Sequence, residues 1–256
     1  MSQYYRDNAV YQALQKGNFS HFAWTTGNSW MLLYADHNES LKIAVFVRGK
    51  STDGLPESEK ARIQSAQTVY SRLAEKAQLP FISIVFDDTI ETISEVYLES
   101  STAGGPIGNS ISLQALTDVF KQAGLPAPNS SPDKAINKHA SSAYHEWQRA
   151  SLGNIKVTDV DLIRIDGARS LEVVELKRSY YSLDRWQPFR DDFTNFNLLE
   201  AFCERISAGL TIIYNQRITN PFSDDASRVS AFSYSSRGGA SAIGVLRFEE
   251  FVSGKY

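Results

Sequence analysis

The sequence has a single cysteine and four histidines among its 256 residues. Cys203 therefore cannot form an intramolecular disulfide, and one thiol with four scattered imidazoles lacks the spacing of a zinc-binding motif. No apolar run is long enough to span a bilayer, and the amino terminus has no basic segment followed by a hydrophobic one. These absences argue against disulfide-rich and zinc-finger proteins, and they predict a cytoplasmic protein with no membrane partner.

The chain also lacks a dominant charge. Its 26 Lys and Arg residues against 29 Asp and Glu residues give a formal net charge of −3, which indicates no global attraction to nucleic acid. The hydrophobic fraction of 42% is enough for one large core or two smaller ones. Function must therefore be inferred from the order of the residues.

Hydrophobic periodicity predicts an α/β fold in two regions. In the first region, strands are predicted at residues 22–26, 30–36, 41–50 and 79–88, and helices at 57–78 and 111–124. A linker rich in Pro, Ser and Gly follows, so the predicted boundary separates an N-terminal region, 1–128, from a second domain, 129–256. In the second domain we predict a helix at 133–150, a hairpin of strands 157–165 and 170–178, a helix at 188–207 and a strand at 209–215.

The segment EVVELKRS, residues 172–179, carries two charges within a strand whose valines suit the interior of a sheet. Side chains two apart on a strand project from the same face, so Glu175 and Lys177 lie side by side. With a hairpin loop at 166–170, Asp161 faces Glu175 and Asp159 faces Lys177; with a three-residue loop, Asp159 faces Glu175. Both registers place two carboxylates beside one lysine, and carboxylate ligands suit Mg²⁺ or Mn²⁺.

These residues give the sequence a resemblance to the PD-(D/E)xK nuclease superfamily, to which many restriction endonucleases belong. The matching residues are Asp161 in TDVDLI, Glu175 and Lys177 in VELK, and Glu146 on the preceding predicted helix. The resemblance covers about residues 133–216. No proline precedes the acid as the family pattern would have it, so Asp159 stays an alternative to Asp161.

The resemblance implies a restriction-endonuclease-like mixed sheet flanked by helices in the C-terminal half, and an enzyme that hydrolyses phosphodiester bonds. Double-stranded DNA is the expected partner, more than RNA, and a homodimer is the expected assembly. By the same resemblance, Asp161, Glu175 and the Leu176 carbonyl hold Mg²⁺ or Mn²⁺. Lys177 orients the attacking water or stabilises the developing charge, and Glu146 is an additional catalytic acid.

Two other interpretations stay open at the level of sequence. Glu175 and Lys177 are also compatible with a solvated pair on a half-exposed strand, and a nuclease fold is compatible with nucleic-acid binding without catalysis. His145 is expected on the solvated side of its helix. Four aromatic residues at helical spacing are expected in the core: Phe189, Phe193, Phe196 and Phe202. Four arginines are candidates for phosphate contacts: Arg178, Arg185, Arg190 and Arg217.

The first region echoes the second. Residues 30–51 and 160–179 both read as strand, turn and strand, and each is followed by a helix and a buried strand. Arg48 stands in the first copy where Glu175 stands in the second. Two interpretations stay open: the N-terminal region is a degenerate repeat of the nuclease-like core with a recognition or structural role, or the two regions are similar only because short α/β units resemble one another.

Overall fold

The structure is a computed structural model that describes residues 8–25, 27–103, 107–126, 142–165 and 171–256. These residues form a mixed α/β protein with two mixed sheets and six α-helices, which confirms the predicted α/β class. They divide into two compact units. Unit 1 comprises Trp24–Val160, and unit 2 combines the N-terminal segment up to Ala23 with Asp161–Tyr256.

The elements follow one another along the chain in three stretches. The chain begins with α1 (Ala9–Gly17) and β1 (Phe22–Trp24). It continues with β2 (Ser29–Ala35), β3 (Leu41–Gly49), α2 (Glu57–Lys76), β4 (Phe81–Phe86), β5 (Glu95–Ser101), β6 (Asn109–Ser112), α3 (Leu113–Gln122), α4 (Ala143–Ser151) and β7 (Lys156–Asp159). It ends with β8 (Leu162–Ile165), β9 (Leu171–Ser179), α5 (Phe193–Ile206), β10 (Gly209–Thr219), β11 (Phe222–Asp224), β12 (Arg228–Ser235), β13 (Gly239–Arg247) and α6 (Phe248–Ser253).

Short 3-10 turns precede the two crossover helices. They span Lys50–Gly54 before α2 and Arg190–Asp192 before α5. Among the helices that the structure describes, none combines the length and the apolar character of a membrane span.

Local sequence explains several element ends. α1 begins after Asn8, whose side chain accepts a hydrogen bond from the Val10 N–H at 2.9 Å. It ends at Asn18, which adopts the left-handed conformation with φ 49°. α3 begins after Ser112, whose hydroxyl caps the Ala115 N–H. β4 is buried along its whole length, as expected for an apolar strand between two neighbours in a covered sheet.

The two sheets share one strand order. The strands run β7-β2-β3-β4-β5-β6 in unit 1 and β1-β8-β9-β10-β12-β13 in unit 2, where β11 pairs with β10 off this path. In each unit the second and third strands are antiparallel, and the third and fourth are parallel. Five further pairs are antiparallel: β7-β2, β4-β5, β5-β6, β10-β12 and β12-β13. A parallel pair needs a crossover connection, which α2 supplies in unit 1 and α5 in unit 2.

The edge strand of each sheet comes from a remote part of the chain. In unit 1 the strand at one edge is β7, which follows α4 along the chain. In unit 2 the strand at the corresponding edge is β1, which follows α1. The units therefore divide differently from the predicted boundary at 128/129, because residues 143–159 belong with unit 1 and the N-terminal segment belongs with unit 2. Residues 133–141 of the predicted helix lie outside the described residues, and α4 represents its second part.

The predicted 157–165 strand is wrong as a single element. β7 pairs with β2 in the sheet of unit 1, and β8 pairs with β9 in the sheet of unit 2. The chain thus changes sheets between Asp159 and Leu162. This separation decides which acid can meet Glu175.

Two predictions about buried residues are also wrong. His145 packs edge-on against Trp30, with ring centroids 4.7 Å apart, and its Nδ1 lies 2.9 Å from the Ser142 hydroxyl. Burial, with a smaller contribution from Arg149, lowers the pKa of His145 to about 4.

Phe196 and Phe202 lie in the core of unit 2 as predicted, but Phe189 is 49% exposed. It precedes α5, so the helical spacing does not determine which way it faces.

Candidate active site in unit 2

The pairing of β8 with β9 determines which residue faces Glu175. Leu162 lies opposite Val174 and Ile163 opposite Val173. Continued by one residue, this register places Asp161 opposite Glu175, as predicted for a loop at 166–170; the loop itself lies outside the described residues. Asp159 is paired with Leu32 in the other sheet, so the alternative in which Asp159 faces Glu175 is wrong.

The Asp161 carboxylate is held by two donors from different elements. Its Oδ2 accepts a hydrogen bond from the Leu176 N–H at 2.8 Å, and its Oδ1 accepts one from the Tyr11 hydroxyl at 3.2 Å. Tyr11 lies on α1 and is also 3.2 Å from the Asp161 carbonyl. The strand end and the helix together orient this acid.

The Leu176 carbonyl points toward the same edge of β9 as Asp161. The paired part of β8 ends at Leu162 opposite Val174, so Leu176 lies beyond the ladder. In a strand, the N–H and the C=O of one residue project from the same edge. Because the Leu176 N–H is donated to Asp161, the Leu176 carbonyl faces that edge as well.

Glu175 and Lys177 form a buried ion pair. Glu175 is 3% exposed, and its Oε1 lies 2.9 Å from the Lys177 Nζ. The same Nζ lies 3.6 Å from Asp192 Oδ1 and 5.4 Å from the centre of the Phe196 ring. A solvated pair on a half-exposed strand would not bury its carboxylate to this degree, so the burial argues against that interpretation.

Electrostatics keep Lys177 charged. Burial lowers the pKa of this ammonium, but the carboxylates of Glu175, Asp192 and Asp161 outweigh burial and raise the pKa above its usual value. Lys177 is therefore a fixed cation at neutral pH, surrounded by acids.

A second buried ion pair is structural. Arg164 contacts Glu172 at 2.9 Å, and the other partners of Glu172 are the hydroxyls of Thr211 and Tyr256. Both carboxylate oxygens of Glu172 accept hydrogen bonds inside the protein, and Arg164 also donates to the Phe251 carbonyl. This cluster joins the C-terminal residues to the sheet of unit 2.

Glu146 lies on α4 of unit 1, not in unit 2. Its Oε1 is 3.3 Å from an Arg149 nitrogen, and its side chain is partly exposed. In unit 2, the helix that reaches Asp161 is α1, which contributes Tyr11. The catalytic role of Glu146 stays a prediction.

Two site residues were missed by sequence reasoning. Asp192 lies near the start of the predicted 188–207 helix, where an acid is common, and only its 3.6 Å contact with Lys177 assigns it to the site. Tyr11 is 150 residues away from Asp161 along the chain and carries no local signal.

The oxygen donors near Asp161 are compatible with Mg²⁺ but do not form a complete protein cage for it. Within the ranges that the structure describes, no three His, Cys, Asp or Glu residues form a group suited to a metal ion. Mg²⁺ is commonly held by one or two carboxylates, with water and substrate phosphates completing its octahedron. Asp161, Glu175 and the Leu176 carbonyl fit that limited donor set, so the residues present are compatible with the ion.

Of the four candidate arginines, two are engaged inside unit 2. Arg178 forms an ion pair with Asp224 at 3.1 Å, and Arg217 is buried. Arg185 and Arg190 are exposed, so they are the better placed of the four to contact a phosphate backbone.

Comparisons with known proteins do not identify a family. No family model matches the sequence, and no curated protein matches it. Among solved structures, the chain is similar to the crystal structure of a sex pheromone precursor from Lactobacillus salivarius subsp. salivarius UCC118, with 10% identity and a TM-score of 0.17. The alignment covers 80% of this chain and 63% of that one, less than two thirds of its length. At this TM-score the similarity carries no argument about fold or function.

Proposed function

We propose that unit 2 is a metal-dependent endonuclease of the PD-(D/E)xK type that hydrolyses phosphodiester bonds in DNA. One observation carries the proposal: the β8–β9 register, continued by one residue, brings Asp161 opposite the buried Glu175, and Lys177 lies 2.9 Å from Glu175. Burying charged groups is costly for stability, and a catalytic site is a common reason for retaining them.

The order of elements in unit 2 supports this proposal. A helix, three neighbouring strands, a crossover helix and a parallel strand follow one another as α1, β1, β8, β9, α5 and β10. This order is compatible with the restriction-endonuclease-like core that the sequence resemblance implies. The two acids come from adjacent strands: Asp161 directly precedes β8, and Glu175 lies within β9.

Unit 1 is proposed to be a degenerate copy of the same core. Its sheet has the same strand order, and Arg48 on β3 pairs with Glu99 and with Asp53, each at 2.6 Å. Asp53 lies in the 3-10 turn before α2, as Asp192 lies in the 3-10 turn before α5. An ion pair between a strand cation and a turn acid thus recurs in unit 1, but its cation, Arg48, stands at the sequence position of Glu175, and β3 carries no acid.

In this proposal each side chain has a distinct role. Asp161, Glu175 and the Leu176 carbonyl would hold Mg²⁺ or Mn²⁺, which when bound polarises the scissile phosphate and lowers the pKa of water. Tyr11 and the Leu176 N–H keep the Asp161 carboxylate oriented. Lys177 remains protonated and stabilises the negative charge that grows on the phosphate in the transition state. Glu175 and Asp192 hold the Lys177 ammonium in place.

Metal dependence tests the proposal directly. We expect the protein to cut plasmid DNA with Mg²⁺ or Mn²⁺ and to stop in EDTA, whereas Ca²⁺ should support binding better than cutting. Undiminished cleavage in EDTA would refute the mechanism. Binding without turnover in any of these ions would favour a catalytically inactive nucleic-acid-binding protein.

Matched variants test the residues. Asp161→Asn should lower the cleavage rate on the order of a hundredfold or more while DNA binding is retained, because the acid is lost and the shape is kept. Asp159→Asn is the control and should cleave normally, since Asp159 lies in the other sheet. Glu146→Gln should retain more cleavage than Asp161→Asn, because Glu146 is partly exposed and paired with Arg149. Full activity of Asp161→Asn would contradict the assignment.

A further inference from the structure

Three exposed aromatic side chains follow the candidate active site along the chain. Tyr180 is 67% exposed, Tyr181 40% and Phe189 49%. We call these three residues the aromatic platform. A single exposed aromatic side chain is common on a protein surface, but a contiguous group of them is typical of a binding site for a ligand or another macromolecule.

The rings of the aromatic platform contact one another. Tyr180 and Tyr181 are stacked with centroids 4.4 Å apart and an interplanar angle of 25°, and their hydroxyls are 3.2 Å apart. Phe189 meets Tyr181 edge-on at 6.3 Å. Because Tyr180 is the most exposed ring of the three and Tyr181 stacks on one of its faces, its other face is available to a flat ligand.

The backbone beneath the aromatic platform is held in place by β10. The Tyr214 hydroxyl lies 2.9 Å from the Ser179 carbonyl and 2.6 Å from the Tyr181 carbonyl, so its one hydrogen is shared between them. The Gln216 side chain donates to the Tyr180 carbonyl at 3.3 Å. Burial raises the pKa of Tyr214 to about 12, so its hydroxyl stays protonated and remains a donor. The exposed rings therefore stand on fixed backbone.

A buried stack supports the other side of the aromatic platform. Trp186 lies on Tyr214 with centroids 4.2 Å apart and planes within 2° of parallel, and Phe189 meets Trp186 edge-on at 6.1 Å. Phe189 is thus anchored at its edge while about half of its surface stays exposed. Aromatic side chains that neighbouring residues already hold in position lose little conformational entropy when a ligand binds.

Two connections join the aromatic platform to the catalytic cluster. Tyr180 follows Lys177 by three residues, which is about 10 Å along an extended chain. Phe189 precedes Asp192 by three residues, and Asp192 lies 3.6 Å from the Lys177 ammonium. Arg185 and Arg190, both exposed, belong to the same segment, and exposed arginines are common contacts of nucleic-acid phosphates.

We propose that the aromatic platform stacks on unpaired bases of single-stranded DNA beside the scissile phosphate. In a duplex the faces of the bases are already covered by their neighbours, whereas unpaired bases offer a face to an aromatic ring. The preferred substrate of unit 2 is then DNA with a single-stranded segment, such as an overhang or a flap. The choice of DNA rests on the proposed function.

The test measures binding without cleavage. Fluorescence anisotropy with a labelled oligothymidylate of about 20 nucleotides, and with a blunt duplex of the same length, is recorded in EDTA. Tyr180→Ala and Phe189→Ala should each weaken single-strand binding on the order of tenfold and leave duplex binding within about twofold. Tyr180→Trp should retain single-strand binding, because it keeps a ring for stacking.

Tyr97→Ala is the matched control, because Tyr97 is a similarly exposed tyrosine on β5 of unit 1. It should leave single-strand binding unchanged. Unaltered binding by Tyr180→Ala and Phe189→Ala, or an equal loss on both DNAs, would overturn the inference. A change in sedimentation of the DNA-free protein caused by these variants would also overturn it, since a second copy of the chain would then be the occupant.

The two proposals fail separately. Loss of single-strand binding in the platform variants, together with no cleavage in any metal, would keep the aromatic platform as a single-strand binding surface and refute the nuclease. Metal-dependent cleavage that is indifferent to the platform variants would keep the nuclease and refute this inference.

Discussion

Replacing Lys177 by methionine tests whether Glu175 and Lys177 are a buried pair. The substitution keeps most of the side-chain volume and leaves the Glu175 carboxylate, which is 3% exposed, without its ammonium partner at 2.9 Å. Removing one member of a buried pair is destabilising because the remaining charge has no water to solvate it. Lys177→Met is therefore expected to lower the free energy of unfolding.

The structure gives the size of the effect. At 2.9 Å and an effective dielectric constant of 20, two unit charges attract by about 6 kcal/mol. The Lys177 side chain is 22% exposed, and desolvation of the ammonium offsets part of this attraction. Measured losses for broken buried pairs are about 3–5 kcal/mol, and the partial exposure favours the lower end of that range, about 3 kcal/mol.

The assay is urea unfolding at neutral pH, followed by the fluorescence of the four tryptophans. Lys60→Met is the control, because Lys60 pairs with Glu57 at 2.5 Å on an exposed helix surface, and it should cost less than about 0.5 kcal/mol. Glu175→Gln combined with Lys177→Met should cost less than the sum of the single losses. A loss under about 1 kcal/mol for Lys177→Met would refute the reasoning and favour a solvated pair.

Two further predictions concern unit 1. Burial lowers the pKa of His145 to about 4, so the folded protein binds fewer protons there than the unfolded chain, and stability should fall as the pH drops below about 6.5 toward 4. Urea unfolding across this range checks it: His145→Gln should flatten the slope, and an unchanged slope would contradict the assignment. Lys50→Ala should leave single-turnover cleavage at saturating enzyme within about twofold, because the proposed catalytic groups lie in unit 2. A large loss of that rate with the fold intact would show that unit 1 takes part in catalysis.

The local pattern of the sequence was sufficient for most of the elements and for part of the site. Apolar runs and periodicity predicted β2, β3, β4, β10, α2, α3 and α5 because such patterns reflect burial on one face or both. The alternation in EVVELKRS predicted that Glu175 and Lys177 lie side by side, and they contact at 2.9 Å. The longer of the two predicted loops also gave the register that places Asp161 opposite Glu175.

Tertiary structure decided the remaining features, because each depends on a partner that is distant along the chain. Asp159 and Asp161 are two residues apart, yet β7 finds its partner in β2 and β8 finds its partner in β9. Strand pairing is chosen by which sheet edge is available, and local hydrophobicity does not encode that choice. For the same reason, α1 brings Tyr11 to Asp161 across 150 residues of sequence. The exposure of Phe189 was decided by the fold as well, since α5 begins only at Phe193 and Phe189 therefore lies outside the helix whose spacing predicted its burial.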